Sequence, residues 1–386
     1  MNPPGVNLTV LSCSFTGNQA NSGGGNSAVG GAIDTSPDDT ATISGSQFIS
    51  NSAIGNAVGA TVLGGAVNNN QTMTIDHCLF TGNSAVGGPM PDGVHHFGGA
   101  QGGAIRTGGV PGVILTLSNS IVADNEAIGG SGGSTLTFLR TGYAYGGGIC
   151  NNSAGTLNVT GCTVTTNQAI GGASASGTGG FAQGGGIQNF FQCRLNLRDS
   201  TISSNHCQGG QGASGYAGGL AAAGGIGSDN GAIAILTNST ITLNECLGGP
   251  GGAGANGGEA VGGGIANAYF TFFGATDASS LIMSNCQVVG NVAQGGTAGS
   301  SAVGGDGLGG GLYAASGTIV LEAVLVNSNQ SQGGGDGQGN TTGNGLGGGV
   351  YVDPSATATA YTETIIAGNQ ASKDNNDVWG TITMVP

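Results

Sequence analysis

The chain has 386 residues, of which 85 are Gly and only 6% are charged, and its net charge is −14. Five Lys and Arg residues cannot build the basic stripe that nucleic acid requires, and the same balance opposes anionic membrane surfaces. No apolar run reaches the length of a membrane span, while 38% hydrophobic content supplies a core that glycine richness alone would deny.

The first residues, Met1-Asn-Pro-Pro-Gly5, carry neither the basic nor the apolar region of a signal peptide. From Val6 onward the chain repeats. An Asn recurs at Asn18, Asn51, Asn83, Asn125, Asn167, Asn205, Asn244, Asn291, Asn329 and Asn369. Three residues before it stand Phe15, Phe48, Phe80, Val122, Val164, Ile202, Ile241, Val288, Val326 and Ile366, all large and apolar. Eight before it runs a second apolar column, Val10, Ile43, Ile75, Leu117, Val159, Leu197, Leu236, Met283, Leu321 and Tyr361. Five before and two after are mostly small residues, such as Cys13 and Ser46 or Ala20 and Ala53.

Offsets of two within each pair give strand periodicity, and the odd step between pairs gives a bend. A third strand follows Gly-Gly-Ala-Ile33, Gly-Gly-Ala-Val67, Gly-Gly-Ala-Ile105 and their later variants. The expected fold is all-β: one right-handed parallel β-helix over 1–386, about ten coils of three short strands each. Stacked coils place like residues over like, and the ten Asn side chains form a ladder. Glycine-rich stretches after each Asn vary in length and are expected to project as loops from one corner, where solenoids often bind partners.

The paired elements GGA[ILV] and FxxN, as in Phe15-Thr-Gly-Asn18, Phe48-Ile-Ser-Asn51 and Gly102-Gly-Ala-Ile105, resemble the passenger repeats of chlamydial polymorphic outer-membrane proteins. The later coils are similar to Gly-rich β-helix repeat proteins of bacterial surfaces. The resemblance implies a secreted or surface-exposed rod with an adhesive or structural role. Those proteins export themselves through a C-terminal β-barrel, which these 386 residues do not include. Both ends read as cut, so the chain is expected to be part of a longer surface protein, or a rod that stacks end to end.

Cys13, Cys78, Cys162 and Cys286 share one column on non-adjacent coils, about 9.6 Å apart or more, and are expected as inward thiols behaving as small hydrophobes. Cys207 and Cys246 share a column on neighbouring coils and are placed for a disulfide in an oxidising compartment.

The outward column after the Asn reads Glu126, Gln168, His206 and Glu245. Glu126, His206 and Glu245 are the catalytic candidates, beside a plain reading as a solvated polar ladder. Glycoside hydrolysis needs carboxylates about 5–10 Å apart, and Glu126 lies about 14 Å from Glu245. Arg194, Arg198 and Asp199 share a coil without the acid pairs of a calcium-dependent lyase. Asp92, His95 and His96 read as an ordinary loop, and Asp306 and Asp336 lack calcium-repeat spacing, so no metal or cofactor is expected.

Phe190, Phe191, Tyr269, Phe270, Phe272 and Phe273 are the ligand-binding candidates, as an exposed aromatic platform or else a packed lid. The expected function is an extracellular or cell-surface scaffold, structural or adhesive. Its expected partners are carbohydrate, a cell-surface protein or a second copy, with no nucleic acid and no membrane insertion. A carbohydrate-active β-helix enzyme is the alternative.

Overall fold

The computed structural model describes residues 5–37, 39–90, 98–133, 142–268, 278–336 and 342–386. They wind as a right-handed parallel β-helix. Five all-parallel sheets of 11, 10, 10, 10 and 9 strands run along it. Each coil therefore contributes five strands where the sequence pattern gives three. The first coil shows the plan: Asn7–Leu11, Ser14–Thr16, Gln19–Asn21, Ser27–Val29 and Ile33–Asp34 open the first to fifth sheets.

The three expected strands are those of the first, second and fifth sheets, and they enclose the main core. Val10, Ile43, Ile75 and Leu117 stack in the first sheet. Phe15, Phe48 and Phe80 stack in the second, with ring centroids 4.8 and 4.6 Å apart. The apolar residue of the Gly-Gly motif, Ile105 for example, closes the triangle from the fifth sheet.

The third and fourth sheets form a thin flange beside this core. Each of their strands is two or three residues long and turns one small side chain inward: Ala53, Ala85 and Ala127 from one sheet, Ala100, Ala144 and Ala182 from the other. One inward residue per strand leaves no alternation to count, which is why these two strands escape the periodicity. The Asn ladder runs along the boundary between core and flange. There the third residue of the Gly-Gly motif must be Gly or Ala, because a Cβ built at Gly186 already lies 2.9 Å from the Asn205 amide nitrogen.

Two expectations are corrected in detail. In the last coil Ala360, not Tyr361, pairs with Leu321, and Tyr361 is exposed. One extra residue at the following bend shifts a count made back from Asn369, and a one-residue slip exchanges the faces of a strand. Cys13 keeps the bonds of its column but is exposed, not buried like Cys78, Cys162 and Cys286. The remaining thiols of its column do more than fill space. Ser46 N–H donates to Cys78 Sγ (3.4 Å), Cys78 N–H to Ser120 Oγ (3.0 Å), and Ser120 N–H to Cys162 Sγ (3.5 Å). Ser and Cys alternate as acceptors in a ladder at the first bend.

Candidate functional surfaces

The Asn column is a continuous hydrogen-bonded line. Each Nδ2 donates to the Oδ1 of the next coil's Asn at 2.8–3.0 Å, from Asn18 to Asn51 and onward to Asn329 and Asn369. Asn51 to Asn369 are buried. The line does not run open at its C-terminal end. Asn369 donates from its backbone N–H and from Nδ2 to Asp377 Oδ1, at 3.0 and 2.9 Å. Asp377 occupies the place of the Gly-Gly-Gly motif's third residue, directly above Gly349, where no further Asn needs the space. A carboxylate accepts and cannot donate onward, so it closes the ladder. A second buried polar ladder lies in the fifth sheet, two residues after the Gly-Gly-motif apolar position. There Asn69 donates to Thr107 (3.0 Å) and Asn151 to Asn189 (2.9 Å).

The outward column of the third sheet aligns Glu126, Gln168, His206 and Glu245 in register. His206 Nδ1 sits 3.2 Å from Glu245 Oε2. That hydrogen bond holds the Glu245 carboxyl below its ordinary value against the opposing effect of desolvation. Burial alone pushes Glu126 up. The two carboxyls thus differ in the sense that an acid and a base would. Three strand spacings, about 14 Å, still part them, wider than a shared glycosidic bond allows.

Phe190 and Phe191 divide. Phe190 ends the fifth-sheet strand Ile187–Phe190 and is buried against Tyr145, with ring centroids 5.3 Å apart. Phe191 follows in a left-handed turn and is 45% exposed. Tyr269, Phe270, Phe272 and Phe273 lie outside the described residues, as do Asp92, His95 and His96. Arg198 pairs with Asp199 at 3.0 Å on the open face of the first sheet, and Arg194 Nε donates to Asn196. Cys207 and Cys246 are registered partners in the flange, both buried and both free thiols in this structure. Desolvation raises the Cys246 thiol well above its ordinary value, and its hydrogen bond with Cys207 adds to that. Among the described residues no three His, Cys, Asp or Glu converge as a metal site, and no helix is long and apolar enough to cross a membrane.

The loops expected to project from one corner are stacked on one another. Five of them leave and re-enter the flange through Gly-Gly pairs, for example Gly209-Gly210 and Gly218-Gly219. The necks bond in one zigzag: Gly180 to Gly172, Gly210 to Gly180, Gly219 to Gly210, Gly249 to Gly219 and Gly258 to Gly249, all at 2.7–2.8 Å. It continues through Gly296, Gly305 and Gly334 to Gly343. A Cβ at Gly219 would fall 2.0 Å from the Gly180 carbonyl oxygen, so only glycine fits. Beyond the necks the loops bond to one another, as Gly212 to Pro250 and Gly251 to Thr297. They make a fin whose edge exposes Tyr216 and Val303. Doubled Gly-Gly pairs flanking five of the insertions are the signal that could have announced it.

One further region carries no simple sequence signature. The second residues of the fourth- and fifth-sheet strands point outward but meet in a concave corner and are mostly buried. Toward the N-terminal end it holds Gln101, Arg106, Tyr145 and Cys150. Toward the C-terminal end Tyr313, Tyr351 and Trp379 stack, with centroids 5.1 and 6.1 Å apart.

No protein-family model and no curated protein matches the chain. Among solved structures it is similar to the crystal structure of a TibC-catalyzed hyper-glycosylated TibA55-350 fragment, at 12% identity over 97% of each chain and a TM-score of 0.14. A match that distant transfers no role.

Proposed function

We propose that this rod is an extracellular or cell-surface scaffold, structural or adhesive, that displays its fin and sheet faces as a repeating surface. The observation that supports the reading is the fin. Insertions that could have built separate loops are held by backbone hydrogen bonds into one periodic edge spanning many coils. A ladder of that kind fixes spacing along the rod, which suits a polyvalent contact in which many weak sites add. The surface carboxylates are dispersed or paired, as Glu245 is with His206.

The test is retention of the immobilised chain on a glycan array and on cell surfaces, run beside a reducing-end release assay. Retention without release supports the scaffold. Release of reducing ends that disappears in Glu245→Gln would overturn it in favour of a carbohydrate-active enzyme.

A further inference from the structure

Strands of the first sheet alternate between core and solvent. In Ile233–Thr237, Ser280–Ser284 and Gly317–Glu322, the residues Leu236, Met283 and Leu321 turn inward. The outward side of the same three coils is apolar at its centre. Ile235, Ile282 and Val320 stack there in register, with Ile233 beside them. Ile233 and Ile282 are 37% and 36% exposed. An aliphatic cluster open to water marks a contact surface rather than a solvated face.

Charge selects what can cover it. The chain carries 19 Asp and Glu against five Lys and Arg, so most faces of two copies repel each other. This face is the exception. Over the eight successive strands from Ile114–Ser118 to Ile382–Val385, the only charged outward residues are Arg194, Arg198 and Glu322. Arg198 and Glu322 share a column and flank the apolar cluster, one on each side. Arg198 Nε donates to Asp199, and Glu322 Oε2 accepts from Ser284, both at 3.0 Å. Among the described residues these bonds leave both Nη groups and Oε1 for a partner.

A two-fold axis along the strand direction, between Ile233–Thr237 and Ser280–Ser284, reverses the order of coils and keeps each column facing itself. It sets Ile235 of one copy on Ile282 of the other, and Arg198 of one on Glu322 of the other, each twice. No like charges of the face meet. Such self-complementarity is what an isologous dimer requires. The eight overlapping strands cover about 38 Å by about 17 Å, roughly 650 Å² a side, which reaches the total of about 1,200 Å² at which stable interfaces begin. We propose that the outward face of the first sheet binds a second copy of this chain, antiparallel, in a two-fold dimer centred on Ile235 and Ile282. The fin leaves each coil between its second and fifth strands, across the core from this face, and stays uncovered. The inference is independent of the adhesive reading.

The experiment is sedimentation equilibrium of the full chain, with circular dichroism to verify the fold of every variant. Wild type is expected to be dimeric at about 100 μM, since interfaces near this area bind at micromolar Kd or tighter. Arg198→Glu and Glu322→Arg each set like charges face to face, and each is expected to raise the dimer Kd about tenfold or more. The double reversal is expected to return it to within about threefold of wild type. Ile282→Lys is expected to be a folded monomer, and Val303→Lys, on the fin edge, to remain dimeric. A monomeric wild type, an oligomer or filament indifferent to Arg198→Glu, or a double reversal that fails to recover would each overturn the dimer. A monomer whose retention on the glycan surfaces above is lost in Ile282→Lys would also overturn it, and would assign the face to a sugar. Should Ile282→Lys fail to fold, the three charge variants still decide.

Discussion

Asn167 accepts from the backbone N–H and Nδ2 of Asn125 and donates through Nδ2 to Asn205 Oδ1 and to the Val122 carbonyl. Replacing it by Leu would strand the Asn125 backbone N–H in a buried site, leave Asn125 Nδ2 with only the Phe80 and Ala123 carbonyls, and deprive Asn205 Oδ1 and the Val122 carbonyl of a donor. At about 1–3 kcal/mol per unsatisfied group, Asn167→Leu should cost about 3 kcal/mol or more, read as a fall in the denaturant midpoint. Charge acts differently at the half-buried Asp76. Hydrogen bonds from Ser118, His77 and Asn119 hold its carboxyl at about 2, below its ordinary 3.8. A carboxyl depressed on folding contributes stability above its unfolded value, and that contribution is lost as pH falls from about 4 through about 2. Asp76→Asn should therefore flatten the acid limb of the stability curve and leave stability at pH 7 less dependent on further acidification. An unchanged slope between pH 4 and 2 would remove this account.

No strand here exceeds six residues among those described, and most have two or three. Such pieces hold only because each is paired above and below over many coils. The flange and fin take this furthest, since their backbones approach until side chains no longer fit. Gly219→Ala puts a methyl 2.0 Å from the Gly180 oxygen and should cost about 1–3 kcal/mol by overpacking. Gly335→Ala meets nothing within 4 Å and serves as the neutral control. Hydrogen exchange should speed at the necks in the first variant only. Equal melts for the two would mean that the fin is looser than its geometry.

Across the whole molecule the interactions are between neighbouring coils, so stability should follow a sum of coils and interfaces. Excising residues 168–205 removes one repeat of 38 residues and joins Asn167 to His206 in register. The shortened rod should fold with the same circular dichroism per residue. Excising 168–204 shifts every later side chain by one and should not fold as a rod; indistinguishable products would contradict the stacking argument. The C-terminal end has its own determinant. Asp377→Ala leaves the Asn369 backbone N–H unmet and Nδ2 with the Val326 carbonyl alone, and should cost about 1–3 kcal/mol, seen as faster exchange over Val378–Val385 with the central coils unchanged.

The sequence alone carried the parallel β-helix, the columns at Phe48, Ile75 and Asn125, and the shared column of Cys207 and Cys246, because a repeat reports the same contact many times and period two marks its strands. It could not carry the two flange strands, where a single Ala per strand leaves no alternation, nor the extra residue that moves Tyr361 out of the core. The fin, the closure of the ladder by Asp377 and the corner that buries Arg106 were decided by the tertiary structure. Each depends on how closely backbones and side chains from different coils approach, and that distance is set by the packing of the whole coil rather than by any local pattern of residues.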